Sequence, residues 1–197
     1  IVVYVVYLVV YLAREANGSP TAAPTEAPTA AVVCSDCTAC GGAADIIIPS
    51  HLLTIAQDAF KNCAALETVR GGDSLTLVDT TAFEGCDNLI SVDLNTTNIG
   101  DQAFKGCDAL VSANFPSAIT IGDQAFEALP LLAVVNIPSV LTIGASAFNA
   151  CPSLNEINFT KATSIGAFAF EGSSVSNAYF PSAITVENNA FGACLSL

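Results

Sequence analysis

A fixed spacing of apolar residues organises the chain from residue 43 onward. The dipeptide Ala-Phe recurs seven times at intervals of 21 to 23 residues, with the aromatic residue at Phe60, Phe83, Phe104, Phe126, Phe148, Phe170 and Phe191. Ile or Val stands five residues before most of these phenylalanines, and Leu stands six residues after most of them. A period of this length is typical of a solenoid built from stacked coils, because one coil of about 22 residues is too small to bury its own apolar face.

Each coil contains a short alternating segment that predicts a β-strand. The segments read "LISVDL", "LVSANF", "LAVVNI" and "LNEINF". Their last two apolar residues are two apart and face the same side of a strand, while the residue between them points outward. Pro116, Pro138 and Pro181 close three of these strands, where a missing N–H and a fixed φ suit a turn. The pattern therefore predicts one short parallel strand per coil.

The remainder of each coil predicts a turn followed by a helical or irregular segment. We expect a φ above zero at the glycine of the recurring "IG", which is Gly100, Gly122, Gly144 or Gly166. Asp101 or Asp123 is then placed to cap a short helical turn that carries "QAF". The predicted fold is an α/β solenoid of about seven coils of 21–23 residues over 43–197. Each coil has one short parallel β-strand and a short helical or irregular convex segment.

The repeated phrase resembles the BspA-like leucine-rich repeats, whose consensus is close to LxxLxLPxxLxxIGxxAFxxCxx. The match runs from about residue 45 to 197 and departs from the consensus locally, at "RGGDSL" in the first coil and at Ser173 and Val175 in the sixth. The resemblance implies a curved solenoid on a cell surface. Such repeats occur in bacterial and protist surface proteins, for which adhesion to matrix proteins, host cells or neighbouring cells is usually proposed.

The segment 1–13, "IVVYVVYLVVYLA", contains no charged residue. Spanning a bilayer takes about 20 apolar residues, whereas a signal-peptide core needs only about 7 to 15. We interpret the segment as a truncated membrane anchor or signal core. The alternatives are a strand, or a helix buried against another subunit, since so apolar a run is not stable in water.

The segment 14–42 is interpreted as a Thr/Pro/Ala-rich stalk followed by a cysteine-containing cap. Its first part has no apolar period, so it reads as an extended spacer or an ordinary flexible linker, and it contains a glycosylation sequon at Asn17. "CSDCTAC" places Cys34, Cys37 and Cys40 just before the repeats. We expect disulfides that staple the cap, with a zinc site completed by His51 as the alternative.

Composition then narrows the possible partners. The chain has 5 Lys and Arg against 18 Asp and Glu, a formal net charge of −13. The cations are scattered, so we expect no binding to nucleic acid or to anionic lipid head groups. The chain contains no Met and stops within a repeat. We therefore interpret it as part of a longer protein.

Candidate chemistry is sparse. Five cysteines recur in phase with the core, and Leu129 takes their place in one coil, so we expect small buried side chains at Cys63, Cys86, Cys107, Cys151 and Cys194. Glu84, Glu127 and Glu171 recur once per coil and form a solvated stripe or, alternatively, bind calcium between coils. No motif supplies a nucleophile for the single His51 and no phosphate loop is present. We predict no enzyme activity and no cofactor.

The predicted binding surface is the strand face on the expected concave side. Its outward column consists of Arg70, Asp93, Asn114, Asn136, Asn158 and Tyr179, and a second column of Thr68, Ser91, Ser112, Val134, Glu156 and Asn177. Asn95 and Asn158 begin sequons, and a glycan on Asn158 would obstruct protein binding there. The leading hypothesis is a non-catalytic cell-surface protein that binds a protein or glycan ligand. The alternatives are a self-associating filament or coat subunit, whose open ends stack, and the ectodomain of a receptor.

Overall fold

The computed structural model describes residues 43–194. The predictions for segments 1–13 and 14–42, including Asn17, Cys34, Cys37 and Cys40, lie outside the described residues. Within residues 43–194 the chain alternates between longer and shorter strands. The longer strands are β1 (Asp45–Ile48), β3 (Thr68–Gly71), β5 (Ser91–Leu94), β7 (Ser112–Asn114), β9 (Val134–Asn136), β11 (Glu156–Asn158) and β13 (Asn177–Tyr179). The shorter strands are β2 (Thr54–Ile55), β4 (Leu77–Val78), β6 (Asn98–Ile99), β8 (Thr120–Ile121), β10 (Thr142–Ile143), β12 (Ser164–Ile165) and β14 (Thr185–Val186).

All strand pairs are parallel and join the same position of successive coils. The shorter strands form one seven-stranded sheet, and the longer strands form a five-stranded sheet, β1-β3-β5-β7-β9, and a two-stranded sheet, β11-β13. The described chain is thus a parallel β-solenoid of about six turns, and the count of about seven coils is not confirmed. The prediction of one strand per coil was wrong, because each turn contains two. A two-residue strand is too short to show alternation in the sequence.

The core consists of side chains stacked on their counterparts in the next coil. The seven Ala-Phe phenylalanines form one column, with neighbouring ring centroids 5.0–5.3 Å apart and ring planes within 8° of parallel. Phe115, Phe159 and Phe180 pack against this column with tilted rings. The spacing agrees with the separation of hydrogen-bonded parallel strands, about 4.8 Å. The predicted inward position of the repeated phenylalanine is therefore confirmed.

The segment around each phenylalanine consists of turns, and the described residues contain no helix. Residues two positions before and two positions after each phenylalanine have positive φ, for example Gln102 (φ 56°) and Gly106 (φ 67°) beside Phe104. The backbone amides of Gln102, Phe104 and Gly106 form no hydrogen bond within their own coil. They donate to the next coil, to the carbonyls of Asp123, Ala125 and Glu127, at 2.8 to 3.1 Å. A helix is excluded here because these amides are used between coils, so the α/β class is not confirmed.

The glycines of "IG" have a different role from the one predicted. None of Gly100, Gly122, Gly144 and Gly166 is among the glycines with positive φ. A Cβ on Gly122 would lie 2.6 Å from the Asp101 amide nitrogen and from the Gly100 carbonyl carbon. Glycine is therefore required because two coils approach closely. The predicted capping by Asp101 is also corrected, because its Oδ1 accepts from the Asp123 amide of the next coil at 2.9 Å.

Candidate binding surface

The structure brings the predicted binding column together on the longer strands. We call the outward side chains of β3, β5, β7, β9, β11 and β13 the long-strand face. Register pairs Arg70 with Asp93, Asp93 with Asn114 and Asn114 with Asn136, and pairs Asn158 with Tyr179 separately. Asn114 is half-buried and the other five side chains are exposed. The column therefore exists in two aligned groups.

Side-chain hydrogen bonds order the first group. The Asn114 Nδ2 donates to Asp93 Oδ1 at 2.6 Å, and the Asn136 Nδ2 donates to Asn114 Oδ1 at 2.6 Å. Each of these side-chain amides is therefore held in place by a side chain of the preceding coil. A ligand would meet a row of polar groups already held in place, which reduces the ordering entropy that binding costs.

The long-strand face is interrupted between β9 and β11. The Val134 amide donates to the Val111 carbonyl of the preceding coil at 3.1 Å, but the described residues contain no strand pairing between β9 and β11. Val134 is 57% exposed at this interruption. The predicted column is therefore divided at this point, and Asn136 and Asn158 belong to different sheets.

Four of the five predicted column cysteines are buried, and Cys194 is half-buried. The thiols of Cys86, Cys107 and Cys151 donate to carbonyl oxygens of Phe60, Phe83 and Phe126 at 2.9 to 3.1 Å. Burial raises the pKa of Cys151 to about 12, and the hydrogen bond with Cys86, followed by burial, raises the pKa of Cys107. These thiols are free and inert in the folded state.

Cys63 departs from the prediction of a plain buried thiol. It lies in the same column and is 4% exposed, but it is disulfide-bonded. Cys63 could not be distinguished from the other cysteines by sequence, because each of them stands three residues after the repeated phenylalanine. A structural disulfide is typical of proteins in an oxidising compartment.

Each glutamate of the predicted column contacts a side chain of the preceding coil, and two of the three form ion pairs. The Nζ atoms of Lys61 and Lys105 lie 2.7 Å from Oε2 of Glu84 and Glu127 respectively, and the Asn149 Nδ2 donates to Glu171 Oε2 at 3.1 Å. The hydrogen bond with Glu84 raises the pKa of Lys61. No group of three or more potential metal ligands occurs among the described residues. The calcium alternative thus has no support in this part of the chain.

The two described sequons have different environments. Asn158 is exposed on the long-strand face. Asn95 is half-buried and its Oδ1 has no hydrogen-bond partner in the structure, while the following Thr96 is fully buried. Glycan transfer requires an accessible amide, so of these two sites the accessible one is Asn158.

Sequence reasoning missed a second surface on the shorter strands. Two neighbouring positions per coil point outward there, and we call their fourteen residues the short-strand face: Leu53, Thr54, Thr76, Leu77, Thr97, Asn98, Ile119, Thr120, Leu141, Thr142, Thr163, Ser164, Ile184 and Thr185. The signal was the recurring Thr-Ile or Ser-Ile before the glycine, in "TIG" and "SIG". A β-branched polar residue next to an aliphatic residue, repeated once per coil, indicates a strand with one solvent-exposed side and one buried side. Among residues 43–194 no helix has the length and hydrophobicity needed to span a bilayer.

Comparison with known proteins agrees with this architecture. The family model for the BspA type leucine-rich repeat region matches residues 35–141 and 90–197, with six copies. A comparison with curated protein sequences finds no significant match.

Solved structures give the same result. A leucine-rich repeat protein of T. pallidum is 26% identical with a TM-score of 0.64, over 75% of this chain and 71% of that chain. A leucine-rich cell surface protein from Faecalibacterium prausnitzii is 25% identical with a TM-score of 0.72, over 86% of this chain and 49% of that chain. This chain therefore spans about half the length of the Faecalibacterium protein. A leucine-rich repeat protein from Eubacterium ventriosum, 20% identical with a TM-score of 0.60, shares the fold over 75% of this chain and 47% of that chain.

Proposed function

Since this chain belongs to the BspA-type leucine-rich repeat family, we propose that it is a non-catalytic cell-surface protein that recognises a protein or glycan ligand through its long-strand face. The observation that supports this most directly is the aligned row Arg70, Asp93, Asn114 and Asn136, three of whose side chains are linked by hydrogen bonds. The row presents a cation, a carboxylate and two amides at regular spacing. Such a row favours a ligand that is itself extended and polar.

A surface location is supported by two independent features. The similar protein of Faecalibacterium prausnitzii is described as a cell surface protein. Cys63 is disulfide-bonded, which suits an oxidising exterior. Attachment through residues 1–13 is part of the proposal and rests on their apolar composition.

A binding screen of the full chain tests the proposed function. Immobilised wild-type protein is exposed to extracellular matrix proteins and to a glycan array, and the dissociation constant of each ligand found is measured again with Asn136→Glu and Tyr179→Glu. A carboxylate at a contact position should weaken binding at least about tenfold, the effect of about 1.4 kcal/mol. Ala56→Glu, an exposed position outside both strand faces, is the matched control and should leave affinity unchanged. Equal affinity for all variants would remove the long-strand face as the binding site.

A further inference from the structure

The disulfide of Cys63 leads out of the repeats. Cys63 is disulfide-bonded, whereas the other four cysteines among residues 43–194 are free thiols: Cys86, Cys107, Cys151 and Cys194. The chain has eight cysteines in all, which leaves as partners only the three of "CSDCTAC": Cys34, Cys37 and Cys40. The bond therefore joins the first coil to the segment that precedes it.

Backbone hydrogen bonds fix the register at the start of the solenoid as far back as Ala44. The Glu67 and Thr68 amides both donate to the Ala44 carbonyl, at 2.7 and 2.9 Å. The same pair of bonds recurs one coil later, where the Ile90 and Ser91 amides donate to the Glu67 carbonyl at 2.8 and 3.3 Å. Ala44 therefore occupies the position in its coil that Glu67 occupies in the next.

Cys40 extends the cysteine column by one position. It stands four residues before Ala44, as Cys63 stands four residues before Glu67, and it is the only one of the three candidates with this phase. The family match begins at residue 35, so the repeat pattern includes this segment. Counterparts in adjacent coils lie about 4.8 Å apart, within the Cα separation of about 4.4 to 6.8 Å that a disulfide spans.

Proximity in the column does not by itself produce a disulfide, because Cys86 and Cys107 are neighbours there and remain thiols. The first coil differs in what precedes it. Phe60 stacks on Phe83 in the next coil, but the residue one interval of 23 before Phe60 is Cys37. A preceding turn without phenylalanine has no ring to stack on Phe60, so a covalent bond takes over the role of ring stacking in holding it.

The two ends of the stack differ in burial. Cys63 and Phe60 are 4% and 3% exposed, although the described residues supply a neighbouring coil on only one side of them. Cys194 and Phe191 hold the same positions in the last coil and are only half-buried, and Val186 beside them is 54% exposed. Burial of the first coil on both sides requires chain from before residue 43.

From these observations we infer that a disulfide between Cys40 and Cys63 closes the N-terminal end of the solenoid. Its formation takes two protons and two electrons from the two thiols and transfers them to a disulfide donor of an oxidising compartment, which is reduced to two thiols. Cys40 is then unavailable as a thiolate, so the zinc alternative keeps only three of its four ligands. A covered first coil also presents no open edge, so end-to-end stacking cannot use this end.

Peptide mapping of the non-reduced full chain, produced through an oxidising secretory compartment, tests the bond. Free thiols are alkylated and the denatured chain is cut with trypsin, which separates Cys63 in peptide 62–70 from the candidate partners in peptide 15–61. We expect these two peptides to be linked, with fragmentation placing the bond at Cys40, and a monomer on non-reducing electrophoresis. An unlinked peptide 62–70, a bond at Cys34 or Cys37, or a dimer band that reductant removes would overturn the inference.

Amide hydrogen exchange tests what the bond does for the fold. Cys63→Ser removes the bond, and Cys86→Ser, at the next position of the same column, is the matched control because Cys86 is a free thiol. The Glu67 amide, which bonds to Ala44, should exchange at least about tenfold faster in Cys63→Ser than in wild type, since the preceding segment loses its attachment. Cys40→Ser should give the same increase, and it replaces Cys63→Ser if circular dichroism shows the latter unfolded. Unchanged exchange without the bond, or an equal increase in Cys86→Ser, would overturn the closure.

Discussion

The two strand faces differ in continuity although they share every coil. The seven shorter strands form one unbroken sheet, while the longer strands divide after β9. Behind the seven shorter strands the core position is always Ile or Val. It is buried in six of them, at Ile55, Val78, Ile99, Ile121, Ile143 and Ile165, and exposed at Val186 in the last. Behind the longer strands it varies in size and burial: Ile46, Val69, Val92, Ala113, Val135, Ile157 and Ala178. The longer strands nevertheless stay paired across Ala113, the smallest residue of the first five, and separate between Val135 and Ile157.

The glycines of "IG" are a second difference between the shorter and the longer strands. Each follows a shorter strand, and its missing side chain allows two backbones to touch, as at Gly144, where a Cβ would lie 2.6 Å from the Gly122 carbonyl carbon. The longer strands end in larger residues such as Leu94, Asn136 and Asn158. At Gly100, Gly122, Gly144 and Gly166 the adjacent coils leave no room for a Cβ, whereas Ala56, Asp79 and Glu187 occupy the same position after the other three shorter strands.

The largest expected effect is that of Gly144→Ala. The added methyl group would overlap backbone atoms of the preceding coil, so the two coils must separate. We expect a loss of about 3 kcal/mol in the free energy of unfolding, typical of overpacking against atoms that cannot move away. Urea denaturation followed by circular dichroism measures it.

Gly106→Ala is the matched control for this substitution. Gly106 has a φ of 67°, but a Cβ there would meet nothing within 4 Å, and alanine occupies the same position of later coils as Ala128 and Ala150. Its cost should stay at about 1 kcal/mol, the penalty of a left-handed alanine. If the two variants were equally unstable, close approach would not be what the "IG" glycines provide.

Amide hydrogen exchange should resolve the interruption of the long-strand face. The Ser164 amide on β12 donates to the Leu141 carbonyl, whereas β11, which contains Glu156, pairs only with β13. We expect the Glu156 amide to exchange about 10 to 100 times faster than that of Ser164, a difference of about 1.4 to 2.8 kcal/mol in local opening. Ser112 on β7, which donates to Ile90, is the control on the same face. Equal protection of Glu156 and Ser112 would mean that the longer strands form one continuous sheet.

Sequence reasoning predicted the parts of this fold that repeat with large side chains. The phenylalanine column and the outward row from Arg70 to Asn136 follow from a period of about 22 residues, because identical residues must stack when identical coils do. The second strand was missed because two residues show no alternation. The break after β9 was missed because Val135 and Ile157 both fit the core position of a strand, so the sequence pattern is the same on its two sides.

The Asn ladder is expected to contribute less than the glycine contacts. Asn114→Ala removes one donor and one acceptor, from the bonds to Asp93 and Asn136. Since the site is only half-buried, water replaces both partners and the loss should be about 1 kcal/mol. Asn158→Ala on the same face is the control, and for it the structure shows no side-chain hydrogen bond among the described residues. A loss for Asn158→Ala as large as that for Asn114→Ala would mean that the ladder adds nothing to the strand contacts.

The smallest expected effect concerns the cysteine column. Because Cys151 lies in the core between the two strand faces, its effect on stability does not depend on either face. Burial holds the pKa of Cys151 at about 12, against 9.0 for an exposed thiol. The native state keeps the proton while the unfolded chain loses it, so the free energy of unfolding falls as pH rises from about 9 towards 12. Cys151→Ser removes this dependence, and Ser173 already fills the same position with its hydroxyl bonded to Phe170. Between pH 7 and pH 9.5 wild type should lose about 0.8 kcal/mol more than Cys151→Ser in urea titrations. Identical losses would show that Cys151 ionises as readily in the folded protein as in the unfolded chain.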